Sequence, residues 1–107
     1  MDHSVLRDDM VDGLEHLLGP LDEAVSLAMR TVPRHEFVAD APYENRVAEH
    51  RDTGTTILAP RTVARLLSAL APRPGDEVLV VGAGVGYTAA VLAEVVGDAH
   101  VHAVEIT

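Results

Sequence analysis

Apolar and polar residues follow two rhythms along this chain. From Ser4 to Leu18, the residues Val5, Leu6, Met10, Val11, Leu14, Leu17 and Leu18 recur at three- and four-residue steps, with acids between them. That period predicts an amphipathic helix, and Gly19-Pro20 stops it. Asp22 opens a second helix to about Thr31, with Val25, Ala28, Met29 and Val32 on one side. A third helix starts at Ala59-Pro60, where proline suits the first turn. It carries Val63, Leu66, Leu67 and Leu70 on its apolar face, and Pro72, Pro74 and Gly75 end it. The rhythm then changes. Val78 to Val81 is an unbroken, β-branched apolar run, as a buried parallel strand should be. Gly82-Ala83-Gly84-Val85-Gly86 reads as a turn, and a helix follows from about Tyr87 to Val96, stopped by Gly97. A second strand runs from about His100 to Ile106 and carries Glu105 near its C-terminal end. The fold class is therefore α/β: a Rossmann-like strand, turn, helix and strand behind an N-terminal helical region. The division is 1–74 for the helices and loops and 75–107 for the start of the βαβ unit.

Between the second and third helices the pattern loses its period. Pro33 breaks the helix inside Val32-Pro33-Arg34-His35-Glu36-Phe37-Val38. The reading from physics alone is a short turn whose Val32, Phe37 and Val38 plug the core while the charged groups are solvated. Asp40 to Thr56 reads as a loop carrying Tyr43, Glu44, Asn45, Glu49, His50 and Asp52, and loops of this length are often functional. Thr55 to Leu58 forms a short extended piece.

Charge narrows the function classes. There are 17 acids against 8 basic residues, all of them arginine, for a net charge of -9. Such a balance argues against a nucleic-acid backbone as partner. It suits a cytoplasm of molar salt, where the Debye length is about 3 Å and carboxylate repulsion is screened. The chain has no cysteine, so thiolate chemistry and disulfides are excluded. The start MDHSVLRDD has neither a basic n-region nor an apolar h-region. The longest charge-free stretch, Val78 to Ala93, falls short of the ~20 apolar residues of a membrane helix. The expectation is a cytoplasmic protein with no membrane partner.

The candidate chemistry lies in the glycine turn. Glycines let the backbone bend sharply and let a ligand lie against it. An acid at Glu105, 23 residues after Gly82, stands where one bonds ribose hydroxyls, so the arrangement is that of an adenosine site. A dinucleotide fingerprint, G-x-G-x-x-G, would need a glycine where Tyr87 stands, which counts against an NAD-binding domain. His100 and His102 share a strand face but lack further ligands at metal-site spacing, so no metal is expected.

The G-x-G-x-G spacing resembles motif I of the class I S-adenosylmethionine (SAM) methyltransferases. With VPRHEFV (Val32 to Val38), the following Tyr43, GTTILAP (Gly54 to Pro60), PGDEVLVVGAGVGY (Pro74 to Tyr87) and VEI (Val104 to Ile106) in order, the chain resembles the protein-L-isoaspartate (D-aspartate) O-methyltransferases. The resemblance runs from about Met10 onward. It implies SAM as cofactor and, as substrate, isoaspartyl residues in damaged proteins, whose free carboxylate is methylated. It also implies that Gly82, Gly84 and Gly86 lie beneath the methionine part of SAM, that Glu105 holds the ribose, and that Thr55, Thr56, Ile57 and Leu58 lie over the SAM and substrate pocket.

Three positions depart from the family pattern. The family's active-site serine, in T-I-S-A-P, is Leu58 here. The histidine after the proline is Arg61, and the acid two residues before the first glycine is Val80. Leu58 and Val80 favour an alternative: a non-catalytic or substrate-changed relative acting through SAM binding or protein contacts. A sheet of this class has about seven strands and only two are present, so the expectation is an N-terminal portion that is inactive alone.

Overall fold

The computed structural model describes residues 2–82 and 85–104, Val85 by its backbone alone. Three helices precede the parallel strands. α1 spans His3–Leu18, capped by Asp2, whose carboxylate accepts from the Ser4 amide at 2.9 Å. It ends where Gly19 takes φ 84°, a left-handed value that glycine adopts without strain. α2 spans Glu23–Thr31. Asp22 caps it and also takes both arms of the Arg73 guanidinium, at 2.9 and 3.1 Å. α3 spans Pro60–Leu70. Its free N-terminus is served from a distance: the Arg61 amide donates to the Asn45 side-chain oxygen at 2.9 Å.

The loop expected over Asp40 to Thr56 is only partly irregular. β1 (Ala48–Glu49) pairs antiparallel with β2 (Thr56–Ile57), Ala48 opposite Ile57. The chain turns between them at Gly54, φ 71°, whose amide donates to the His50 carbonyl. Two residues per strand is too short for alternation to show in sequence.

β3 (Val78–Val81) and β4 (Val101–Val104) are parallel, in register from Val78 opposite Val101 to Val81 opposite Val104. α4 connects them over Val85–Val96. The helix thus begins before Tyr87, and Gly86 belongs to its first turn rather than to the glycine turn. His100 falls in a 3-10 turn, Asp98–His100, rather than on the strand.

The core is continuous across these elements. Met10, Val11 and Leu14 of α1, Val25, Ala28 and Met29 of α2, Val63, Ala64 and Leu67 of α3, and Tyr87, Val91, Leu92, Val95 and Val96 of α4 are buried together. Two apolar expectations fail. Leu66 and Leu70 look outward from α3, because the stripe that meets α1 and α2 is Val63, Ala64 and Leu67. β3 is buried on one face only. Val78 and Val80 pack toward the core, while Leu79 and Val81 are 63% and 56% exposed. Among the described residues α4 is the helix laid on this sheet, and it covers one side.

Candidate functional site

The turn of sequence VPRHEF is where the site begins. Pro33 ends the second helix, and residues Arg34–Glu36 form one 3-10 turn closed by the Phe37 and Val38 amides donating to the Arg34 carbonyl, at 2.9 and 3.0 Å. Sequence reasoning had the charged groups of this turn in solvent. The structure buries Arg34 completely, at 0% exposure. The 3-10 geometry turns its side chain inward while Glu36 points out. The guanidinium lies over the Tyr87 ring, its central carbon 4.6 Å from the ring centroid, a cation–π arrangement. Its Nη2 donates to the Leu58 carbonyl at 3.2 Å. Nε, Nη1 and the Tyr87 hydroxyl have no partner among the described residues. Burial pulls the Arg34 pKa below the usual arginine range, and burial pushes the Tyr87 phenol up.

Phe37 extends the cluster. Its ring meets the Tyr87 ring edge-on at 5.8 Å and stands 6.3 Å from His50. Its carbonyl accepts from the Arg51 amide at 2.8 Å, which fastens the β1–β2 hairpin to the turn. His35 turns to the other side. It shares a 2.8 Å hydrogen bond with the Tyr43 hydroxyl and stacks on His3, ring centroids 3.8 Å apart. Burial, then His3, holds the His35 pKa below its ordinary value.

The residues singled out from sequence fall into two groups that this cluster joins. Ile57 is buried in β2, Thr55 is half-buried with its hydroxyl 2.7 Å from that of Thr53, and Thr56 is exposed. Leu58 is 41% exposed, and its carbonyl is held by Arg34. On the other side, Gly82 follows β3 with φ 122°, and a Cβ built there would meet no atom of the described residues within 4 Å. Its amide donates to the Val104 carbonyl at 3.0 Å. Both parallel strands therefore finish at one edge, where open α/β sheets take their ligands. Gly84 and Glu105 lie outside the described residues. Gly86 backs onto Phe37, with a built Cβ 3.5 Å from that ring. Arg34 and Tyr87 were missed as a linking pair. The available signal was Tyr87 directly behind the glycines and an arginine between apolar neighbours.

His100 and His102 converge on Glu77, whose two oxygens lie 2.7 Å from Nδ1 of His100 and 3.0 Å from Nε2 of His102. No group of three or more His, Asp or Glu among the described residues is arranged to hold a metal ion. Hydrogen bonding from His100, then His102, holds the Glu77 pKa below its ordinary 4.5. A depressed carboxylate stabilises the fold above its unfolded pKa and loses that effect as pH falls through the folded value. The melting-temperature difference between the native chain and Glu77→Gln should therefore be present at pH 6 and vanish toward pH 3. An equal difference at both pH values would refute the assignment.

A sequence profile described as Protein-L-isoaspartate(D-aspartate) O-methyltransferase (PCMT) matches residues 7–107. A protein-L-isoaspartate O-methyltransferase of Methanosarcina mazei is 43% identical over 106 residues, covering 94% of this chain and 42% of the relative. One of Methylorubrum extorquens is 46% identical over 95 residues, covering 86% of this chain and 42% of the relative. The chain thus spans under half the length of these curated relatives. A solved protein-L-isoaspartate O-methyltransferase superposes with a TM-score of 0.71 at 25% identity, over 92% of this chain and 33% of its own. A Plasmodium falciparum protein described as the same enzyme, in complex with S-adenosyl-L-homocysteine, superposes with a TM-score of 0.69 at 24% identity over 92% of this chain and 47% of its own. These two likenesses carry the fold, an incomplete Rossmann-like methyltransferase unit.

Proposed function

Because this chain belongs to the protein-L-isoaspartate(D-aspartate) O-methyltransferase family, we propose that it supplies the cofactor turn and the substrate segment of an enzyme that methylates isoaspartyl carboxylates in damaged proteins. The observation that carries this reading is the profile match over residues 7–107, which takes in the glycine turn and the Thr55 to Leu58 segment together. Gly82 fits the cofactor. Its φ of 122° is one that side chains rarely adopt, and none of the described residues crowds it, which suits a ligand approaching the backbone at the edge where both strands end. Gly82, Gly84 and Gly86 would hold the methionine part of the cofactor and Glu105 its ribose. When bound, SAM supplies an electrophilic methyl to a carboxylate oxygen and leaves as S-adenosyl-L-homocysteine.

The work left to the protein is alignment and exclusion of water. A carboxylate is already ionised at neutral pH, so no general base is needed. Thr55 to Leu58 would border the substrate, with the Leu58 side chain where a hydroxyl would bond the carboxylate. Residues 1–74 would frame the site and 75–107 begin the cofactor-binding unit.

The test is methyl transfer from labelled SAM to an isoaspartyl peptide and to its aspartyl twin, using the full-length gene product in molar KCl. Transfer to the isoaspartyl peptide alone is expected. Leu58 favours a second reading, a relative that binds SAM without this chemistry. A folded product that binds S-adenosyl-L-homocysteine and transfers no methyl would establish that reading instead.

The same proposal includes a cytoplasm rich in salt. Seventeen acids and no lysine on 107 residues repel one another until salt screens them. The midpoint of urea denaturation should rise as KCl increases from ~0.2 M toward ~1 M. A midpoint that does not move would remove the salt-adapted reading.

A further inference from the structure

Arg34 is a charge buried where an apolar side chain would serve the core at less cost. It is fully enclosed, it uses Nη2 for one hydrogen bond, and Nε and Nη1 are unpartnered among the described residues. Burying an incompletely paired guanidinium opposes folding. Packing alone does not call for it, since a methionine could occupy much of the same volume. What a guanidinium adds is reach to two partners of different kinds. Its donor takes the Leu58 carbonyl, and its face lies on the Tyr87 ring. Leu58 closes the Thr55 to Leu58 segment, and Tyr87 stands in the first turn of α4, immediately behind the glycine turn. The base of Arg34 is itself fixed, because its carbonyl accepts from two amides.

We propose that Arg34 is a positioning residue that locks the substrate segment, Thr55 to Leu58, to the start of the cofactor helix, so that one side chain sets the spacing between the two halves of the site. The assignment of those halves rests on the function proposed above; the mechanical lock does not. Without the lock, β2 remains paired only to the two residues of β1 and Leu58 loses its tether.

The experiment uses the full-length gene product and two variants. Arg34→Met removes the charge and keeps an apolar stem, and Arg34→Lys keeps the charge and loses the planar fork. Hydrogen–deuterium exchange at the amides of residues 55–58 should accelerate about tenfold or more in Arg34→Met, with α1 and α2 unchanged. Arg34→Lys should lie between Arg34→Met and the native protein. Should Arg34→Met fail to fold, the lysine variant carries the test alone. The KM for the isoaspartyl peptide should rise about tenfold, with less change in affinity for S-adenosyl-L-homocysteine. Unchanged exchange at 55–58, or acceleration spread evenly over the chain, would overturn the proposal. Local acceleration in a protein that transfers no methyl would keep the lock and discard the functional reading. Methyl transfer by the native protein with flat exchange would do the reverse.

Discussion

Tyr87→Ala should lower the stability of the chain by about 3–5 kcal/mol, whereas Tyr87→Phe should leave it unchanged or raise it. The ring is fully buried. It fills the space between α4 and the VPRHEF turn, with Phe37 at its edge and the Arg34 guanidinium on its face. Truncation removes that apolar area, leaves a cavity, and strips a buried cation of the surface it lies on, so three losses act in one direction. The hydroxyl is different. It lies beside the Arg34 guanidinium but closes no hydrogen bond to it or to any other described residue, and a buried hydroxyl without a hydrogen bond is a cost rather than a gain. Urea denaturation of the two variants beside the native chain decides the matter. A phenylalanine variant as damaged as the alanine one would mean that the hydroxyl is bonded and the packing account is wrong.

Leu58→Ser should raise methyl transfer to an isoaspartyl peptide about ten- to hundredfold. A hydrogen bond to a charged group is worth ~1.5–3 kcal/mol, and each 1.4 kcal/mol is about tenfold in rate. The substitution is clean because the Leu58 side chain is partly exposed and outside the core, while the contact that fixes the residue is made by its carbonyl. Stability should therefore change by no more than about 0.5 kcal/mol. Steady-state kinetics of the full-length product would show the gain. A serine variant that folds, binds S-adenosyl-L-homocysteine and transfers no faster would mean that the substrate carboxylate does not sit at this position. Val80→Glu is a poorer probe of the same idea. Val80 packs against the core face of β3, so a carboxylate there would meet a desolvation cost before it met a ligand.

The long elements were legible in the sequence because their chemistry is local. Asp22 announces α2 by its capping side chain, and Gly19 and Gly97 mark helix ends by the backbone angles they alone adopt easily. Val78 to Val81 reads as a strand from its β-branched residues. What stayed hidden depends on partners distant in the chain. The two-residue strands β1 and β2 exist because Ala48 finds Ile57 across a turn, which no window of periodicity contains. The cap of α3 comes from Asn45, sixteen residues before the amide it serves. Arg34 looked like a solvated charge, since its burial follows only once Leu58 and Tyr87 converge on it. The helix start was misplaced, because Val85 and Gly86 are weak helix formers by propensity yet stand in the first turn of α4.

The uncovered side of the β3–β4 sheet sets a further constraint on how this polypeptide behaves in bulk. Leu79, Val81 and Val104 form an oily strip beside strand edges that have no neighbour among the described residues. Such a strip favours stacking of one molecule on another and the growth of larger particles. The excess of carboxylates is the brake, since like-charged particles keep apart. Salt that quiets repulsion inside each molecule also weakens the repulsion between molecules. Added salt thus strips the colloid of its protection, and the usable ionic strength is bounded from above.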